Sequence, residues 1–171
     1  MPKKIAITGP ESTGKSWLAE KLAAHYKTTW VPEYAREYLE KNGLKYSIED
    51  LEKIAKGQAN IMLKAEKSNP DILIFDTELI VIKIWSEVVF KKCPVLIDEM
   101  LVKQKIDLYL LCYPDLPWEF HPMRENPGNR EYLFELYENK LKEQKFNYRV
   151  VKGKGKERLN NAITFVEEIK A

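Results

Sequence analysis

GPESTGKS, running from Gly9 to Ser16, is the stretch on which the fold turns. A glycine, four free positions and then Gly-Lys-Ser is the template of a phosphate-binding loop (P-loop). Each fixed position has a physical reason. The glycines let successive backbone N–H groups turn toward one bound anion, and the helix that opens there adds free donors and the positive end of its dipole. A lysine at the place of Lys15 reaches the β- and γ-phosphates, and the Ser16 hydroxyl coordinates Mg²⁺. Nucleotide contacts are therefore expected from Gly9 through Glu11, Ser12, Thr13 and Gly14 to Lys15 and Ser16, with Trp17 following, and the expected cofactors are ATP and Mg²⁺. The context agrees with the motif. It follows the apolar run Lys4 to Thr8 (KIAIT) and opens a stretch with helical spacing at Trp17, Leu18, Leu22 and Ala23.

Outward from this loop, short apolar runs alternate with longer amphipathic ones. The strand-like runs are Thr28–Val31, Asp71–Asp76 (DILIFD), Ile106–Tyr113 (IDLYLLCY) and Tyr148–Val151. Helical stretches are Glu33–Lys41, one capped by Ser47 with Asp50 three residues on, Glu78–Lys91, one after Pro94, Arg130–Lys145 and Lys156–Ile169. This alternation predicts an α/β protein with the three-layer P-loop NTPase fold, a five-stranded parallel sheet with helices on both faces. Residues 1–171 read as a single domain, with one long irregular stretch that serves as a lid loop at about 114–130.

Composition narrows the class further. With 44% apolar and 32% charged residues the chain is an ordinary globular protein, and a net charge of +2 supplies no field to draw a nucleic acid or a membrane. Cys93 and Cys112 lack metal-ligand spacing and read as small buried hydrophobes in a reducing cytosol. No apolar run approaches the ~20 residues that span a bilayer. The opening MPKKIAIT is too short in apolar residues for a signal peptide, so the expected compartment is the cytoplasm. The sequence leaves a homo-oligomer open.

Charged and aromatic residues near strand ends are the candidate chemistry. Asp76 closes the strand DILIFD, on the edge where such sheets bind ligands; it suits a metal or a substrate hydroxyl, or merely caps the next helix. Glu78, in a helical first turn, is favourable there without any function. Glu33 and Arg36 in PEYAREY follow the second strand. They read either as a proton acceptor and a hydroxyl- or phosphate-binding cation, or as an ordinary helix-surface pair. The lid carries Trp118, His121 and Arg124, with Arg130 just beyond; arginines on a mobile loop can close over phosphates and stabilise transferred charge. Lys140, Lys142, Lys145, Arg149, Lys152 to Lys156 and Arg158 form a basic segment, read either as a solvated face or as a nucleic-acid contact.

Taken together, GPESTGKS, PEYAREYL, IAKGQ, FDTE and DLYLLCYPDLPWEFHPMREN resemble the ribosylnicotinamide kinase domain of NadR-type proteins, over nearly the whole chain. The resemblance implies a small-molecule kinase that moves the ATP γ-phosphate to the 5′-hydroxyl of nicotinamide riboside, giving nicotinamide mononucleotide in NAD salvage. It implies that Glu33, Tyr34 and Arg36 line the riboside pocket, that Asp76 contacts the acceptor hydroxyl or metal, and that Trp118 stacks on the cationic pyridinium ring. Lys15, Arg124 and Arg130 would stabilise charge on the moving phosphoryl group, and Asp76 ahead of Glu33 would orient or deprotonate the hydroxyl. The family's acid pair after the third strand reads Asp-Thr-Asp, whereas this chain has Asp76-Thr77-Glu78, so the metal role is carried over to Asp76 with Ser16. NadR-type proteins also hold an adenylyltransferase domain; with Met1 directly before the first strand, that activity is expected to be absent here. The other readings are a kinase for another nucleoside or deoxynucleoside, and a regulatory or nucleic-acid-associated NTPase using the basic segment.

Overall fold

A computed structural model describes residues 1–171. Strands β1 (Lys3–Thr8), β2 (Trp30–Val31), β3 (Ile72–Asp76), β4 (Leu108–Cys112) and β5 (Tyr148–Val151) form one sheet in the order β2-β3-β1-β4-β5, with every pair parallel. The helices are α1 (Lys15–His25), α2 (Tyr34–Asn42), α3 (Ile48–Glu66), α4 (Leu79–Phe90), α5 (Val95–Lys103), α6 (Arg130–Glu143) and α7 (Gly155–Lys170). The expected α/β fold with a five-stranded parallel sheet is present.

Period-two alternation splits the strands between the two sheet faces. Ala6, Leu73, Phe75, Tyr109 and Leu111 face one core, closed by α3, α4, α5 and α6. Ile5, Ile7, Ile72, Ile74, Leu108 and Leu110 face the other, closed by Leu18 and Leu22 of α1 and by Ala162 and Val166 of α7. Because both faces are covered, the strands are apolar at nearly every position. β1 lies between β3 and β4, so the chain winds outward in both directions from it. The loop after β1 therefore opens at the switch point, where α/β sheets bind ligands.

Local signals explain the boundaries. Ser47 and Asp50 close the expected capping box, with the Ser47 N–H donating to Asp50 at 2.7 Å and the Asp50 N–H to Ser47 Oγ at 3.3 Å. The second strand is shorter than TTWV suggests. The Thr28 N–H bonds back to Ala23 at 2.9 Å and its hydroxyl to the Ile72 carbonyl at 2.9 Å, so Thr28 ends α1 and only Trp30 and Val31 join the sheet. No helix is long and apolar enough to cross a membrane.

Candidate nucleotide and acceptor site

The P-loop backbone is bent as its motif requires. Gly9 has φ 132°, and a side chain there would meet the Cys112 carbonyl oxygen at 3.0 Å, so only glycine lets β1 leave the sheet past β4. Ser12 (φ 56°) and Gly14 (φ 76°) are left-handed and coil the chain into α1. The Thr13 hydroxyl and Lys15 Nζ both donate to the Pro10 carbonyl at 2.7 Å. Lys15 thus lies folded across the loop, and Thr13 is fully buried.

Arg158 holds the loop from behind. Sequence alone left it within a basic surface segment, yet it is completely buried. Its guanidinium donates to the Thr13 carbonyl at 2.6 Å, the Tyr113 carbonyl at 3.1 Å, the Gly153 carbonyl at 3.0 Å and Asp115 at 2.7 Å. The planar fork joins P-loop, β4 end, lid root and the β5–α7 turn. Fixing the Thr13 carbonyl also fixes its peptide plane, and so aims the antiparallel Gly14 N–H the opposite way.

A polar cluster lies in front of α1. The Ser16 hydroxyl donates to Asp76 Oδ2 at 2.6 Å and accepts from Arg36 at 3.0 Å, and Arg36 pairs with Glu33 at 3.3 Å. Asp76 is 3% exposed, and its Oδ1 is buried without a partner. It does not cap α4. That position belongs to Glu78, whose carboxylate accepts from the Ile80 N–H at 2.7 Å and which is fully buried. Glu33 and Arg36 form the i,i+3 pair that helix spacing predicts, with Arg36 half-exposed and Glu33 more enclosed. They line a cavity of about 380 Å³ together with the P-loop, a size that suits a small-molecule ligand. Burial raises the Glu33 carboxyl above the ordinary carboxylate range; Lys15 pulls it down and Asp76 pushes it up.

The lid segment lies closed across this cavity. The Glu11 carboxylate accepts from the backbone N–H groups of Glu125, at 3.1 Å, and Asn126, also at 3.1 Å. Ser12 Oγ accepts from the Glu119 N–H at 2.9 Å and from Arg124 at 3.3 Å. Arg130 donates to the Ser12 carbonyl at 2.9 Å. Of the two lid arginines, Arg124 lines the cavity and Arg130 does not. His121 lines the cavity as well, and its Nδ1 accepts from the Met123 N–H at 3.1 Å.

Two aromatic expectations need correction. Trp118 does not line the cavity; its ring carries the Arg130 guanidinium at 5.8 Å. Tyr34 turns away too. Its ring fills the space above Gly57 of α3, where a methyl group on that glycine would stand 2.0 Å from it, and its N–H bonds to Gln58 at 2.9 Å. The aromatic residues that do line the cavity are Trp17 of α1, where the motif places it, Trp85 of α4 and Tyr137 of α6, beside Ala35, Leu39 and Val88. Sequence patterning passes over Trp85 because the run LIVIKI before it gives α4 the look of a purely buried helix.

Residues 4–158 match a protein family described as an AAA domain. The chain belongs to this family. Among curated proteins, this AAA-domain chain is 28% identical to the trifunctional NAD biosynthesis/regulator protein NadR of Salmonella typhimurium over 158 residues, covering 88% of the chain and 38% of that protein. To the protein of the same name from Escherichia coli it is 30% identical over 122 residues, 68% of the chain and 29% of the relative. The chain thus spans well under half the length of these relatives. Its fold is that of NadR in complex with NAD and AMP-PNP (TM-score 0.83, 23% identity, 98% of this chain and 49% of that one). It also matches NadR in complex with NR (TM-score 0.82, 22% identity, 98% and 50%). A deoxyadenosine kinase from M. mycoides with dCMP and dCDP bound shares the fold over 96% of this chain and 99% of its own, with TM-score 0.68 and 17% identity. A P-loop nucleotide-binding fold of the kinase type is therefore established for this chain.

Proposed function

We propose that this chain is an ATP-dependent kinase that phosphorylates the 5′-hydroxyl of nicotinamide riboside, releasing ADP and nicotinamide mononucleotide. One observation carries the reading. A single cavity is lined by the P-loop, by Glu33 and Arg36 and by Trp85, so the phosphate-binding loop shares one enclosure with polar and aromatic groups suited to a second, flat-ringed molecule. The curated relatives' names and the NR-bound structure support nicotinamide riboside as the acceptor.

The roles follow from placement. Backbone N–H groups of Ser12 to Ser16 take the β-phosphate, and Lys15 leaves the Pro10 carbonyl for the β- and γ-phosphates. The unpartnered Asp76 Oδ1 beside the Ser16 hydroxyl suits a hard cation that keeps most of its ligands as phosphate and water, which is the habit of Mg²⁺. Ser16 and Asp76 would hold Mg²⁺ there, and the ion would supply charge neutralisation at the phosphates. Glu33, not Asp76, is proposed as the base. It lines the cavity, and its raised carboxyl is better matched to accept the hydroxyl proton as the oxygen attacks the γ-phosphorus and ADP departs. Arg124 stabilises the charge on the transferring group. Trp85, in place of Trp118, faces the pyridinium ring, where a cation over an indole gains roughly 0.5–2 kcal/mol.

The nucleic-acid reading is less well supported. In the basic segment Arg149 pairs with Glu168 at 3.2 Å, Lys142 with Glu138 at 3.6 Å and Lys140 with Glu143 at 3.4 Å, while Arg158 points inward. An acceptor panel separates the remaining readings. ADP release with Mg²⁺-ATP should be stimulated by nicotinamide riboside well above any deoxynucleoside, and stimulation by deoxyadenosine alone would transfer the assignment to that acceptor.

A further inference from the structure

We infer that Tyr46, which does not line the cavity, is a positioning residue that ties the acceptor end of the site to the lid. The inference rests on the kinase reading above. Tyr46 lies in the turn between α2 and α3, a segment that sequence patterning marks only as a connection. The Trp85 indole N–H donates to its hydroxyl at 2.8 Å, and that hydroxyl donates to the Glu125 carboxylate at 2.9 and 3.0 Å. Glu125 in turn gives its backbone N–H to the P-loop carboxylate of Glu11 at 3.1 Å. A run of three links thus leads from the acceptor wall through the lid to the donor loop.

The donors and acceptors along this run match. Indole nitrogen is a donor only, a carboxylate is an acceptor only, and a phenol hydroxyl is the group that takes one bond and gives one. Burial, with Glu125 beside it, pushes the Tyr46 hydroxyl up to about 12, so it keeps its proton across the physiological range. The ring is held independently of the hydroxyl. It packs edge-on against Trp85 at 4.8 Å and against Phe90 at 6.0 Å. Tyr46 therefore fixes the plane of an indole that lines the cavity and, through the same oxygen, the lid turn that lays Arg124 against Ser12. An acceptor seated on Trp85 favours the indole orientation that also holds the lid shut, and a closed lid favours the triphosphate. The two substrates should then tighten each other's binding, because coupling between sites is reciprocal.

The test is Tyr46→Phe, which keeps the ring packing and removes the hydroxyl. Titrate a non-hydrolysable ATP analogue into the protein with and without nicotinamide riboside, and measure amide exchange at Glu125 and Asn126 in the free protein. The wild type should bind the analogue at least about fivefold tighter with the acceptor present, within the usual range of coupling. In Tyr46→Phe that ratio should fall to about one, and the two lid amides should exchange several-fold faster. A Trp85→Phe variant breaks the neighbouring link, and combining it with Tyr46→Phe should add no further loss of coupling. A ratio unchanged in Tyr46→Phe overturns the inference, as does a wild type that phosphorylates nicotinamide riboside with no coupling. If the wild type does not bind nicotinamide riboside at all, the acceptor assignment fails, and the exchange measurement still decides Tyr46: unaltered exchange at Glu125 and Asn126 overturns its role.

Discussion

Replacing Glu78 with Gln should make the protein more stable at neutral pH. Glu78 has no exposed surface, its Oε2 accepts from the Ile80 N–H at 2.7 Å and the Gln104 amide at 3.0 Å, and its Oε1 has no partner. Burial pushes its carboxyl from an ordinary 4.5 up to about 7, and its hydrogen bonds pull it only part-way back. A carboxyl whose value is raised by folding holds its proton longer in the folded state. Its contribution is therefore fullest below about 4.5 and is lost as pH rises toward 7. At about 1.4 kcal/mol per pH unit, the whole loss is roughly 3 kcal/mol, of which about 2.5 kcal/mol falls between pH 5 and 7.5. A carboxamide does not titrate and keeps an acceptor for Ile80 and Gln104. Urea unfolding of both proteins, followed by tryptophan fluorescence across this range, measures the difference. The Glu78→Gln protein should gain about 2.5 kcal/mol on the wild type between pH 5 and 7.5, or roughly 5–10 °C in melting temperature at this chain length. Stability curves that stay parallel over that range would refute the reasoning, since they would mean that the ionised carboxylate is accommodated without cost.

Other consequences are as direct. Gly57→Ala gains up to about 1 kcal/mol of helix propensity, yet its methyl would stand 2.0 Å from the Tyr34 ring. It should lower stability by about 1–3 kcal/mol in thermal unfolding, as overpacking does, and raise the acceptor KM by shifting α2 with Glu33 and Arg36. Trp85→Ala should raise the KM for nicotinamide riboside by roughly 2- to 30-fold, while Trp118→Ala leaves it within about twofold; steady-state kinetics of both variants check the reassignment. Arg158→Lys should behave nearly as badly as Arg158→Met. A single ammonium cannot replace a fork that reaches Thr13, Tyr113, Gly153 and Asp115. Both variants should lose about 3 kcal/mol or more in unfolding free energy and weaken ATP binding by calorimetry.

How much was legible in the sequence depended on the range of the interaction. The P-loop, the five strands and the Ser47–Asp50 capping box are local devices, and each is present near its predicted place, with only the second strand cut short by Thr28. Placing Glu33, Arg36 and Asp76 near Ser16 needed only the rule that ligands gather at the carboxyl ends of parallel strands. What failed was the direction of side chains fixed by distant segments. Arg158 sits among lysines and reads as surface, but the first turn of α7 docks on the end of β4 and turns it inward. Trp118 has the composition of a ring-stacking loop residue, but the closed lid turns it onto Arg130. Glu11 occupies a free position of the motif, and nothing short of the folded lid shows that its carboxylate holds Glu125 and Asn126.

The most direct test of the account is to follow the transferred phosphoryl group itself. Incubate the protein with Mg²⁺ and ATP labelled in the γ-phosphate, add nicotinamide riboside, and identify the labelled product by mass spectrometry. The account predicts label in nicotinamide mononucleotide, formed in step with ADP, and lost on Glu33→Gln with ATP binding retained. Label appearing only as inorganic phosphate, at a rate indifferent to nicotinamide riboside, would contradict it.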